Sequence, residues 1–137
     1  MAIRISREVL NRILDLAAAS PETEACGLLL GHGDQITEAR ETANVAADPR
    51  RRFEIDPAAL IAAHKAARSD GPKVLGHYHS HPGSDVRPSV CDAETALADG
   101  ALWLICGPSG SYSLWKAGDE GLHDRFAVCA IMVEEQP

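Results

Sequence analysis

The segment Lys73-Val74-Leu75-Gly76-His77-Tyr78-His79-Ser80-His81-Pro82 constrains this chain more than any other, because it dictates a strand that must stop at one place. Pro82 holds His81 to extended backbone and ends the strand. The loop through Gly83 and Pro88 then leads to a helix starting at Ser89, with Asp92 in its first turn. On a strand, side chains at i and i+2 share a face, so His79 and His81 point together, about 7 Å apart along the backbone. His77 has the same parity, but imidazoles at i, i+2 and i+4 span roughly 13 Å, too far for one ion to collect all three. A third ligand must come from elsewhere, and the Asp92 carboxylate can face back to the mouth of the turn. His79, His81 and Asp92 would then surround a zinc ion and leave one tetrahedral position open. An open fourth position separates a catalytic zinc from a structural one.

Simpler readings of the same residues exist. Ser89-x-x-Asp92 is a helix N-cap with its acidic partner three residues on, which would account for both residues. A His-x-His pair at a strand end also occurs without a metal. A cap, however, does not call for two histidines of matched parity just before the turn, and cap and ligand can coexist.

The run His79-Ser80-His81-Pro82, six residues, Ser89, two residues and Asp92 resembles the signature of the JAMM (MPN+) zinc metalloproteases, without gap or shift. Five fixed letters at that spacing, His79, His81, Pro82, Ser89 and Asp92, arise by chance on the order of once in a few million positions. The family carries a glutamate in a Glu-x-Cys-Gly segment upstream, and Glu24-Ala25-Cys26-Gly27-Leu28-Leu29-Leu30-Gly31 is similar. Arg52-Phe53-Glu54-Ile55-Asp56-Pro57, Gly76-His77-Tyr78 and Arg87-Pro88-Ser89 resemble segments of the small bacterial members, so the likeness covers nearly the whole chain. It lacks the long insertions of eukaryotic deubiquitinating relatives.

A chain of 137 residues suffices for one domain with its own core, spanning 1–137, and not for two. Its 45% hydrophobic and 24% charged content is that of a soluble globular protein. A formal charge of −7 argues against affinity for nucleic acid or anionic membrane. No apolar run approaches membrane-spanning length and no signal-peptide pattern opens the chain, so the expected location is the cytoplasm. Cys26, Cys91, Cys106 and Cys129 have no Cys-x-x-Cys spacing and read as reduced thiols.

Taken in order, Ser6 caps a helix over residues 7–19, and Ala25 to Leu30 is a strand buried on both faces, with Gln35 to Thr42 as its hairpin partner. A loop follows, carrying Arg50, Arg51 and Arg52, either a solvated surface or a docking point for an acidic partner. Phe53 to Ile55 reads as a short strand, and Asp56-Pro57 opens a second helix that ends near Arg68. A third helix is predicted from Ser89 to about Ala98. Strands over 101–106 and 111–116 form a hairpin, Leu122 to Val133 closes the sheet, and Trp103 and Trp115 pack in the core. The fold class is α/β, a mixed and mostly antiparallel sheet with helices packed on it. The resemblance implies the deaminase-like MPN version of that fold.

The resemblance also implies function: a zinc-dependent peptidase or isopeptidase with one catalytic Zn2+ held by His79, His81 and Asp92. Glu24 would be the general base and Ser89 a hydrogen-bond donor to the oxyanion. The implied substrate is a ubiquitin-like or sulfur-carrier protein, cut after its C-terminal diglycine, whose extended tail could add as a strand beside the cleft. Two rivals come from other classes: a non-catalytic protein-binding module of the same fold, and a small-molecule zinc amidohydrolase or deaminase. For the latter, zinc deaminases pair His-x-Glu with Pro-Cys-x-x-Cys, and Cys91 has no partner at that spacing.

Overall fold

In the computed structural model, which describes residues 2–83 and 85–135, eight strands and three helices follow one another as a mixed sheet with helices on both faces. Strand β1 (Ile3–Ser6) leads into helix α1 (Arg7–Ala19), where the Ser6 side chain accepts from the Val9 N–H at 3.1 Å. This cap satisfies one of the orphan amides of the first turn. Strands β2 (Cys26–His32) and β3 (Gln35–Thr42) pair antiparallel around the Gly33-Asp34 turn. Helix α2 (Pro57–Arg68) starts from Asp56, whose carboxylate accepts from the Ala58 N–H, with Pro57 in the first turn.

Strand β4 (Lys73–Ser80) lies antiparallel to β2 but parallel to β5 (Leu102–Cys106). A parallel pair cannot be joined by a tight turn and needs a crossover. Here the crossover is the loop after His81 plus the short helix α3 (Val90–Thr95), the segment with the metal-type signature. Strands β6 (Tyr112–Leu122), β7 (Phe126–Val128) and β8 (Ile131–Glu134) complete the order β7-β6-β5-β4-β2-β3-β1-β8. Only Cys129 and Ala130 separate β7 from β8, yet these strands occupy opposite ends of that order. Three residue steps span about 10 Å at most, so the sheet must curl until its two edges nearly meet.

Strand β2 explains how the core is divided. Leu29 packs with Leu10, Ile13 and Ala17 of α1, while its neighbours Leu28 and Leu30 pack with Ala63 of α2. The two helices therefore cover opposite faces, and β2 is buried on both, as its continuous apolar run predicts. Each such aliphatic side chain contributes about 1.5–3 kcal/mol on full burial. His77 and His79 lie on the α2 face of β4, and Tyr78 between them points into the α1 core. Gly27 stands opposite Tyr78 across the ladder, and a Cβ there would strike the Tyr78 hydroxyl and the Arg40 carbonyl. Gly27→Ala is expected to cost about 1–3 kcal/mol in a denaturant melt.

Three boundaries differ from expectation. Phe53 to Ile55 is not a strand: it makes one bridge, between Asn44 and Ile55, and the Glu54 N–H goes instead to the Asn44 side chain. Helix α3 stops at Thr95, whose hydroxyl donates to the Asp92 carbonyl, and Ala96 turns into the Trp103 cluster while Leu97 is left exposed. Residues 122–133 do not form one closing strand but are shared among β6, β7 and β8. Trp103 is buried and Trp115 half-buried against the same cluster. Among the described residues, no helix is long and apolar enough to cross a membrane.

Candidate metal centre

The end of β4, the start of β2 and the first turn of α3 converge on one point. His79 is fully buried at the end of β4. His81 continues the ladder one step beyond it by donating its N–H to the Cys106 carbonyl at 2.8 Å. Their Nε2 atoms stand 3.2 Å apart, and Asp92 Oδ2 lies 3.4 Å from the first and 3.2 Å from the second. A metal with bonds of about 2.0–2.1 Å in tetrahedral geometry has ligand edges of about 3.3–3.4 Å. The three donor atoms thus trace one face of such a tetrahedron.

Donor chemistry agrees with geometry. His81 Nδ1 is 2.8 Å from the Asp85 carbonyl, which can only accept, so this nitrogen carries the proton and Nε2 presents its lone pair inward. His79 Nδ1 has no partner, and packing holds its ring instead. Phe53 stacks on it at 4.1 Å and 17°, and Trp103 meets it edge-on at 5.6 Å. Burial alone would push the Asp92 carboxyl up, but hydrogen bonds to His79, His81 and the Ser89 N–H outweigh it and hold the group well below its ordinary range. Burial pushes His79 down, opposed by Asp92. For His81, burial is outweighed by Asp92 and the Asp85 carbonyl, and the ring is shifted upward.

Asp92 has two roles at once. Its Oδ2 accepts from the Ser89 N–H at 2.9 Å while the Ser89 hydroxyl accepts from the Asp92 N–H at 3.0 Å, a complete capping box. The cap aims the carboxylate at the histidines, so the simple reading and the functional one describe one arrangement.

Glu24 completes the group: one donor atom from each of Glu24, His79, His81 and Asp92 lies within 4.8 Å of all the others. Glu24 is 5% exposed, and its Oε1 is buried without a partner among the described residues. Burial, opposed by His81, pushes its carboxyl up from 4.5 to about 7. Its backbone is clamped on three sides. The Glu24 N–H donates to the Pro49 carbonyl at 2.7 Å, its carbonyl accepts from Asn44 Nδ2 at 2.8 Å, and the next N–H, of Ala25, reaches Ser80 Oγ at 2.9 Å.

Asn44 is a hub that sequence reasoning missed. Its Nδ2 also donates to the Arg52 carbonyl at 3.0 Å, and its Oδ1 accepts from the N–H groups of Ala46 and Glu54 at 3.0 and 3.1 Å. The amide has two donors and two acceptor sites, and all are used. Asn44→Ala is expected to lower unfolding free energy by about 2–4 kcal/mol, measured by chemical denaturation, and to lower turnover with it. No local pattern marks Asn44, whereas Phe53 and Ser80 lie inside segments that the sequence singles out for other residues.

The remaining candidates fall elsewhere. His77 packs between Phe53 and Trp103 behind the group, and burial pushes it down to about 3, so it is neutral. Cys26 is buried and turns its thiol toward Thr42 and Ala43. All four cysteines are free. Arg50, Arg51 and Arg52 are exposed on the loop beside the site.

Residues 6–118 match the family model described as prokaryotic homologs of the JAB domain. The chain belongs to that family. This JAB domain is a JAMM-type metallopeptidase, and its buried Glu, His, His and Asp group is compatible with one metal ion. It is 38% identical over 128 residues to the desampylase of Haloferax volcanii, an alignment covering 92% of this chain and 89% of that one. A solution structure from Desulfitobacterium hafniense is 26% identical with a TM-score of 0.81, covering 97% of this chain and 93% of that one. At 21% identity the fold alone is shared with a structure described as a metalloprotease-like JAMM zinc site in the proteasome and signalosome, with TM-score 0.58 and coverage of 96% and 99%. The mixed, mostly antiparallel sheet with helices packed on it, expected of the JAMM/MPN fold, is the one observed.

Proposed function

We propose that this JAB domain is a zinc-dependent isopeptidase that cleaves after the C-terminal Gly-Gly of a ubiquitin-like or sulfur-carrier protein. The reading rests on one observation: a buried carboxylate with a free oxygen stands beside three donors that trace the face of a tetrahedron. His79, His81 and Asp92 would hold the ion. When bound, zinc would bring the pKa of a coordinated water to about 7 and polarise the scissile carbonyl. Glu24, poised near neutrality, takes the proton of the attacking water and passes it to the departing amine. The Ser89 hydroxyl accepts from Asp92, which leaves its own proton to donate to the carbonyl oxygen as the centre becomes tetrahedral.

A relative and the cleft support this substrate class. A desampylase acts, by its name, on a protein modifier, and 92% of this chain aligns with one. Next to Asp92 runs a groove of about 440 Å³, lined by Val45 to Ala47, Arg52 to Glu54, Cys91 and Thr95. A groove that reaches Asp92 gives an extended tail a place to lie beside the donor group. A cluster without cysteine ligands disfavours a deaminase-type amidohydrolase.

The test is a fusion of a ubiquitin-like domain, through its diglycine tail, to a reporter peptide. Cleavage after the second glycine, stopped by a chelator and restored by zinc, is the expected result. Absence of metal-dependent cleavage there overturns the proposal, and hydrolysis of small amides alone would favour the amidohydrolase.

A further inference from the structure

The loop between β3 and α2 carries Arg50, Arg51 and Arg52, and no side chain of this run takes part in the group described above. All three are exposed. Arg4, Arg7, Arg40, Arg87 and Arg125 each have a carboxylate within 4.0 Å. Among the described residues, Arg50 and Arg52 have none, as is true also of the isolated Arg12 and Arg68, and Arg51 reaches only Asp48, at 3.9 Å with 84% of its side chain exposed. Three adjacent guanidinium groups thus stand almost unneutralised on a chain of net charge −7.

Their backbone is fixed. The Arg51 and Arg52 N–H groups both donate to the Asp48 carbonyl, at 3.2 and 3.0 Å, closing a turn. The Pro49 carbonyl within that turn accepts from Glu24, and the Arg52 carbonyl accepts from Asn44. The run is therefore tied to the residue proposed as general base, directly through Pro49 on one side and through Asn44 on the other. It is also next to the groove: Arg52 lines it together with Asp92, and Phe53, the following residue, stacks on His79.

We propose that Arg50 and Arg51, with Arg52 at the groove edge, are the docking point for an acidic face on the folded body of the protein whose tail enters the groove. This rests on the isopeptidase reading of the site. A diglycine tail in amide linkage carries no charge, so it offers the arginines no ion-pair partner, and the domain from which the tail emerges is the part that can. An acidic domain is repelled by the net negative surface of this chain except at this rim, which both steers the encounter and fixes its orientation. A basic domain meets the reverse field, attracted elsewhere and repelled at the groove mouth. The run thus selects partners by sign as well as by place.

The double variant Arg50→Glu/Arg51→Glu leaves Arg52 and the groove intact. Two substrates are compared: a diglycine fusion of a ubiquitin-like domain with an acidic surface, and a short synthetic peptide containing only the tail and scissile bond. For the fusion, kcat/KM is expected to fall roughly tenfold or more, mainly through KM. Its decrease between about 0.05 and 0.5 M salt, present in the wild type, should vanish. Turnover of the peptide should stay within about twofold. Equal losses on both substrates, or no loss on the fusion, overturn the docking role. Should the wild type cleave neither substrate, the isopeptidase reading fails instead. The docking role is then decided by fluorescence anisotropy with the acidic domain, where binding unaffected by the charge reversal refutes it.

Discussion

Replacing Glu24 by glutamine is expected to lower kcat by about 10²–10⁴-fold while leaving metal content unchanged, because the variant keeps the shape and loses the proton acceptor. Glutamine is the sharper probe than alanine, since it leaves no cavity. The same substitution should raise stability at alkaline pH. In the metal-free fold the Glu24 carboxyl sits at about 7, against 4.5 unperturbed, so the native state holds a proton that the unfolded chain has released. Linkage then makes wild-type stability fall as pH rises from about 4.5 to 7. The variant has no such loss from this position. Melting both proteins in chelator at pH 5 and pH 8 checks the sign: the gap should open at the higher pH, and a constant gap would contradict it. Gain of stability with loss of activity is the usual mark of a group kept in an unfavourable place for its chemistry.

The second large effect is expected at Asp92. Asn in its place retains an oxygen that can accept from the Ser89 N–H, so the capping box survives, while the anionic donor facing His79 and His81 is removed. Zinc affinity should drop by more than the roughly 10–100-fold that follows loss of a mere hydrogen-bond partner of a ligand. Metal-free stability near neutral pH should also fall, because the fold holds this carboxylate ionised through His79, His81 and the Ser89 N–H. Asp92→Ala removes both functions and adds about 1 kcal/mol for the lost cap. Titration of zinc against a competing chelator, beside melts of the three proteins, separates the roles. If asparagine and alanine bind zinc as tightly as the parent, Asp92 is a cap alone.

The sequence made the centre legible because its residues are close along the chain. Parity on one strand brings His79 and His81 together, and a capping box four residues long, Ser89 to Asp92, aims the carboxylate, so local rules of backbone geometry carry this part. Glu24 is different: 55 residues separate it from His79, and the likeness of Glu24-Ala25-Cys26-Gly27 to the family segment placed it, not any local period. Only in the fold does the cause emerge, in the pairing of Cys26 with His79 across β2 and β4. The hub at Asn44 was invisible, because its partners at 24, 46, 52 and 54 are set by how a loop folds back on a strand. Helix α3 was drawn too long for the opposite reason. Residues 96–98 have strong helical propensity, and burial of Ala96 against Trp103 overrides it. Strand β1 escaped notice since four residues carry little periodicity, and it is held by parallel partners β3 and β8 that are distant in sequence.

The curl of the sheet bears on how foreign polypeptide can be received. A protein that handles extended tails runs the hazard of recruiting them, or its own unfolded copies, onto any open strand. Here the outermost strands have three and four residues and are joined through a two-residue link, so the ladder offers scant template for uncontrolled pairing. On the proposed reading, an extended tail would enter beside the histidines, where loop and helix line the groove, rather than along the outermost strands.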